Sequence, residues 1–393
     1  MPITLSNTRI TVEFQGGDPK GDSWGDPFTL DDIVAASDAG SWDPAVTKQG
    51  VQYLIPYSLY IVGASTYFLA EDCQVYFEYH DNVDIYRLRV TNCYFKSQGD
   101  IHGMSWFFDY VYGKTRLYII PEYGYIENSK FTRPSWMSFG GSISNNLIIK
   151  KTVFEACDLI QLAVNNYVEV ENITLVNSGA SNIWIPYDFV SAENITVIDC
   201  PVGLYLYQIS ILNIRKLKLI NVANHLKFRP TQVGQVLNCF DSNIDMSKYN
   251  YSLTGVNGDT TANNISTFKI NIANGDGGTA KLYDKDDNLI FSEVLSGELE
   301  KEVTFEMMEF DAVDGEITKE LLTTYEPFKL VVSKDGYQDL TIPDIAINAG
   351  SETHIFGKIV KTIYYQKLIS GQVSEQEVSG SVETVEVKGT INT

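Results

Sequence analysis

The sequence predicts an all-β chain whose middle is a solenoid of stacked coils, and three observations carry the prediction. An asparagine recurs at near-constant intervals, as Asn92, Asn128, Asn172, Asn194 and Asn238, each two residues after a mostly aliphatic position. The surrounding segments keep one pattern: V-T-N-C-Y-F from Val90, I-E-N-S-K-F from Ile126, I-K-K-T-V-F from Ile149, V-E-N-I-T-L from Val170, A-E-N-I-T-V from Ala192, I-R-K-L-K-L from Ile214 and V-L-N-C-F-D from Val236. Their starts lie 36, 23, 21, 22, 22 and 22 residues apart. Self-similarity at such a period marks a solenoid, in which each coil buries its apolar face against its neighbours. The stretches are also short and β-branched, which suits strands rather than helices.

Residues 1–50 read as a cap. A strand at residues 10–14 and a Gly- and Asp-rich loop precede Thr29, which with Asp32 three residues later forms a variant capping box opening a short helix. A cap over the first coil hides an open sheet edge. The coils occupy residues 51–250, with positions one, four and six of each segment turned inward. Position six reads Phe95, Phe131, Phe154, Leu175, Val197 and Leu219. If each coil adds about 4.8 Å along the axis, these side chains stack into core ladders. The asparagines stack likewise, and their amides are expected to bond to one another and to buried, bent backbone. Lys151 and Lys216 take the asparagine position in two coils, so those bends face solvent or need another partner.

Apolar ladders with an asparagine at a strand bend resemble the pectin-lyase-like right-handed parallel β-helix family, over roughly residues 53–245. The resemblance implies right-handed winding, in keeping with the general hand of parallel crossovers. A linker is expected at residues 250–264, where Asn, Thr, Gly and Asp accumulate. Residues 265–362 then show hairpin alternation around the turn Asp284-Lys285-Asp286-Asp287. The stretch from Pro327 to Leu340, with its Gly336-Tyr337 turn, resembles carboxypeptidase regulatory-like domains. That resemblance implies an Ig/transthyretin-like β-sandwich of structural or adhesive role. A β tail at residues 363–393, with Val382, Val385 and Val387 alternating, is too short for its own core and is the candidate intersubunit or anchoring segment.

A formal charge of −21 argues against partners such as the nucleic-acid backbone or an anionic membrane. Residues 53–70 are uncharged, but Pro56, Gly63 and the polar residues among them fit successive strands better than a membrane span. Five cysteines, Cys73, Cys93, Cys157, Cys200 and Cys239, form no C-x-x-C pair and read as small buried residues. The first residues show no basic segment followed by an apolar core, so no secretory signal is expected.

The long interval between coils holds an excursion at residues 95–126, and loops on a rigid scaffold are where binding groups collect. Asp100 and Asp109 are the weak catalytic candidates there, a carboxylate pair of the kind a glycosidase needs. His102, Trp106, Tyr110 and Tyr112 are the candidate ligand-binding residues. A lyase arrangement would draw on Asp84, Arg87, Arg89 and Glu122, which alternation also explains as solvated surface. Asp284-x-Asp286-x-Asn288 begins like a calcium loop, but Leu289 and Leu295 stand where a Gly and a bidentate Glu belong, so a hairpin turn and no metal is expected. Asn172, Asn194 and Asn264 open N-x-[ST] sequons, the first two read as buried ladder positions. No motif asks for a cofactor.

The architecture resembles bacteriophage virion appendages of the head-fibre, capsid-decoration or tailspike type. The resemblance implies a structural, non-enzymatic virion protein, a homotrimer whose partners are other virion proteins and a host surface glycan. The alternatives are a carbohydrate-active tailspike, hydrolase or lyase, and a cell-surface adhesin located outside the cell.

Overall fold

The computed structural model describes residues 3–6, 9–13, 29–62, 67–77, 87–91, 94–97, 116–119, 123–132, 136–139, 146–155, 159–162, 167–177, 181–185, 191–207, 211–229, 233–251, 257–362, 364–369, 372–377 and 387–388. The chain is all-β, 63% strand against 5% helix, and its coils wind as a β-solenoid consistent with a parallel β-helix. It divides into two compact units. The first comprises Met1–Asn238, Asp245–Ala262 and Glu309–Glu320; the second comprises Cys239–Ile244, Asn263–Met308 and Leu321–Thr393.

In the first unit the helix Leu30–Gly40 starts as the sequence predicts. The Thr29 N–H and hydroxyl both donate to Asp32 Oδ2, at 2.7 and 2.9 Å. Leu30, Ile33 and Ser37 face inward at helical spacing, and left-handed Ser41 (φ 50°) ends the element. In the uncharged stretch at residues 53–70 the described residues include parts of the strands Gln52–Ile55, Ser58–Val62 and Tyr67–Glu71, and no helix among the described residues is long and apolar enough to cross a membrane.

Parallel strands stack in register from coil to coil. One stack includes Tyr67–Glu71, Arg87–Thr91, Tyr123–Glu127 and Asn146–Lys150, and continues into Tyr167–Val176 and Ser191–Ile198. A second stack includes Gln74–Phe77, Tyr94–Ser97, Lys130–Thr132 and Val153–Glu155. A third sheet runs parallel from Arg116–Ile119 through Trp136–Phe139, Leu159–Leu162, Ser181–Ile185, Val202–Tyr207 and Asn224–Arg229 to Tyr249–Tyr251. The core ladders are as expected: Ile126, Ile149, Val170, Ala192 and Ile214 at position one, and Phe131, Phe154, Leu175, Val197 and Leu219 at position six, are all buried. Phe131 and Phe154 stack with centroids 5.5 Å apart.

The asparagine position corrects one expectation. Asn128, Asn172 and Asn194 have φ of 47°, 54° and 54°, and Gly50, Asp72, Lys151 and Lys216 share that left-handed backbone. Asn128 and Asn172 are exposed and Asn194 is half-buried, so the residue is chosen for the bend and not for a buried amide network. Asparagine, aspartate and glycine tolerate this conformation, which crowds the Cβ of other residues. The lysines fit by pointing outward and reaching back one coil, Lys151 to Glu127 at 3.3 Å and Lys216 to Glu193 at 3.2 Å. Asn92 lies outside the described residues, and of Phe95 only the strand placement is described.

The last coil is shifted relative to the sequence repeat. Asn238 sits within the strand Gln235–Phe240 and donates to Asn213 Oδ1 at 2.8 Å, whereas the left-handed residue is Asp241 (φ 49°). The following hydroxyl supports this register. Ser242 Oγ donates to Phe240 O as Ser129 Oγ does to Glu127 O and Thr152 Oγ1 to Lys150 O, each to the carbonyl just before its bend.

In the second unit, Leu289–Val294, Thr279–Tyr283, Phe328–Ser333 and Leu340–Ile345 form an antiparallel sheet in that order. Phe268–Ala273 pairs parallel with Thr353–Lys358, whose other neighbour is Val387–Lys388 of the tail. Phe268, Leu282, Phe328, Leu330 and Ile355 centre the core. The expected linker is partly strand, because Gly258–Ala273 is a single strand. Its polar look is deceptive, since Thr260 and Asn264 are buried and bonded, to Gln235 Oε1 at 2.9 Å and Ile244 O at 2.8 Å respectively.

Candidate functional site

The predicted excursion falls where nothing is described: Asp100, His102, Trp106, Asp109, Tyr110 and Tyr112 all lie outside the described residues. Asp84 and Glu122 do as well, while Arg87 and Arg89 sit in a strand stacked between Tyr67–Glu71 and Tyr123–Glu127. Neither carboxylate pair is therefore brought together among the described residues.

What is described is a surface committed to holding coils in register. On the solvent face of the first stack, Glu127, Lys150, Glu171 and Glu193 are register partners in successive coils. With glutamates in both neighbouring coils, Lys150 bridges to Glu169 at 2.6 Å and Glu171 at 3.5 Å, and the Glu169 hydrogen bond raises the lysine pKa. Lys130 bridges to Glu155 at 2.8 Å. Exposed pairs of this kind contribute roughly 0–1 kcal/mol each, so they favour register more than stability.

A second corner series was missed in the sequence. Asn177, Asp199 and Asn221, with φ of 48°, 54° and 53°, recur five residues after each asparagine-position bend, and Asn221 Nδ2 donates to Asp199 Oδ1 at 3.0 Å. The V-N, I-D and I-N dipeptides carry this signal, but mixing Asn with Asp hides it from a search for one repeated residue. Cys200 follows the same corner, is buried, and donates its thiol to Ile198 O at 3.1 Å. Cys73 and Cys239 are buried too, as the sequence predicted, and burial pushes the Cys239 thiol pKa up.

At the cap, Lys48 Nζ and Tyr53 OH converge on Asp31 Oδ1 at 2.6 and 2.7 Å, and the Lys48 and Tyr53 bonds lower the Asp31 pKa. In the second unit, buried Asp241 accepts Thr267 N–H and hydroxyl at 2.7 Å each, and the Ser266 and Thr353 hydroxyls are 2.8 Å apart. The Asp284 carboxylate is filled by the N–H groups of Asp286 and Asn288 and by Asn288 Nδ2, at 2.8–2.9 Å. Burial pulls its pKa up, but these bonds outweigh it and leave the group below the usual range. The turn thus consumes the oxygens a cation would need, and no cluster of three or more potential metal ligands occurs among the described residues.

The sequons separate. Asn172 is exposed at its bend, contrary to the buried reading, while Asn264 is fully buried. Fold and surface together define an all-β solenoid protein with register-setting ion pairs. Compared with protein-family models, curated proteins and solved structures, the chain returned no match.

Proposed function

We propose that the chain is a structural virion appendage of the head-fibre, capsid-decoration or tailspike type, presenting a rigid strut for particle assembly or host-surface attachment. The observation that carries this reading is the commitment of exposed corner residues, Lys151, Lys216 and Asn221, to the preceding coil. Links of this kind hold successive coils of a rod in register. In this reading the solenoid is a right-handed, pectin-lyase-like β-helix. The antiparallel sheet of the second unit belongs to a transthyretin-like sandwich, and the assembly is a homotrimer docked on other virion proteins.

Native mass measurement and gold labelling of particles test the proposal: a trimer and labelled particles are expected. A monomer at micromolar concentration together with unlabelled particles overturns it. The acidic and aromatic excursion favours a second reading, a polysaccharide-degrading tailspike acting through Asp100 and Asp109. New reducing or unsaturated ends released from host polysaccharide, and abolished by Asp109→Asn, would establish that activity. Export to a cell surface in the native host would favour an adhesin instead.

A further inference from the structure

His225, in the strand Asn224–Arg229, is only 7% exposed. Leu226 and Phe228 take the inward face, so alternation turns the imidazole to the other face, where the turn Asp245–Lys248 meets it. Asp245 N–H donates to its Nδ1 at 2.8 Å, which fixes the neutral ring with its proton on Nε2. The other end of the turn is tied to the same strand, since Lys248 O accepts the N–H groups of His225 at 2.7 Å and Leu226 at 3.2 Å. Within the turn, the Asp245 carboxylate accepts the Ser247 N–H and hydroxyl, and Lys248 N–H donates to Asp245 O at 3.1 Å.

This turn leads directly into Tyr249–Tyr251, the last strand of the third sheet, which pairs with Leu226, Lys227 and Phe228. Tyr251 and Phe228 each pack on Phe310 with centroids 5.6 Å away, and Tyr249 OH donates to Glu320. Phe310 and Glu320 belong to the segment Glu309–Glu320 of the same compact unit. The turn therefore seats the last strand, and the last strand helps to seat that segment.

We propose that His225 is an acid-operated latch: taking a proton on Nδ1 releases the turn Asp245–Lys248 and unseats the strand Tyr249–Tyr251. Both nitrogens of an imidazolium are donors, so a protonated Nδ1 meets the Asp245 N–H as donor against donor. Burial first, then the Lys248 charge, hold the histidine pKa below 6.5, while Asp245 pulls the other way and is outweighed. The other charged residues of its own strand, Lys227 and Arg229, are cations too, and the adjoining strands Val202–Tyr207 and Tyr249–Tyr251 carry no carboxylate or cation. The folded pKa lies below the unfolded one, so the stability that the neutral ring gives is complete above pH 6.5 and is lost as pH falls from there through the lower folded value. Opening takes up one proton, so the open fraction rises up to about tenfold per pH unit in that window. Met246, fully buried, still anchors the turn, so acid raises a local open population and leaves the rest of the unit folded. The latch goes beyond the attachment reading and stands whether or not that reading holds.

Hydrogen exchange of the full chain from pH 8 to pH 5, corrected for the intrinsic exchange rate and read on peptides covering residues 244–251, tests the latch. Protection there should be constant above pH 7 and fall by up to about tenfold per unit below pH 6.5, while peptides from Tyr167–Val176 keep theirs. His225→Asn sets a carbonyl oxygen that does not titrate near the Nδ1 position, so it should stay protected throughout and lose the pH response. Lys248→Gln removes the cation that opposes protonation, so the response should narrow. Flat protection in the wild type, an unchanged response in His225→Asn, or an equal loss across the solenoid peptides each overturns the proposal. Should His225→Asn not fold, Lys248→Gln decides, and a response as wide as that of the wild type overturns it.

Discussion

Asp241→Ala and Asn238→Ala, compared as a pair, test which residue forms the last corner. Asp241 is 6% exposed and accepts two hydrogen bonds at 2.7 Å, from the Thr267 N–H and hydroxyl. Bonds to a charged group are worth about 1.5–3 kcal/mol each, and truncation leaves both Thr267 donors buried without a carboxylate, so about 3–5 kcal/mol should be lost. Asn238 is half-buried and donates to Asn213 Oδ1 at 2.8 Å, a bond between neutral amides. Its removal should cost about 0.5–1 kcal/mol. Urea unfolding followed by circular dichroism reads both as shifts in midpoint, with the slope checked for constancy. The register argument is refuted if Asn238→Ala destabilises as much as Asp241→Ala.

Phe154→Ala should cost about 3–5 kcal/mol in the same assay, since the ring is fully buried and stacked on Phe131; a loss under about 1 kcal/mol would mean the ladder is not packed. The Asp284 pKa is lowered by folding, so its contribution is complete above the unfolded value, near 3.8, and is lost as pH falls through the lower folded value. Asp284→Asn should therefore flatten the acid limb of stability against pH, and an unchanged limb would deny the carboxylate this role. Trimeric mass and particle labelling check the appendage reading.

The sequence made the coils legible because burial imposes a two-residue alternation and a repeat of about 22 residues on apolar side chains, as in Ile126, Ser129 and Phe131. It misjudged the asparagines because composition reports which residue recurs and not why. An exposed left-handed bend and a buried amide ladder select the same residue. It missed Asp241 because a 25-residue coil breaks the count; the left-handed backbone of Asp241 and the hydrogen bond from Ser242 to Phe240 reveal the shared geometry. The polar strand from Gly258 looked like a linker because buried hydroxyls and amides such as Thr260 and Asn264 have the composition of a loop.

The excursion with Asp100 and Asp109 remains a reading of the sequence alone. The sequence by itself determined the strands, the inward ladders and the period, since these depend on local alternation and apolarity. Only the tertiary structure decided which corner residues are left-handed and which charges meet across coils, because those depend on the register between segments some 20 residues apart.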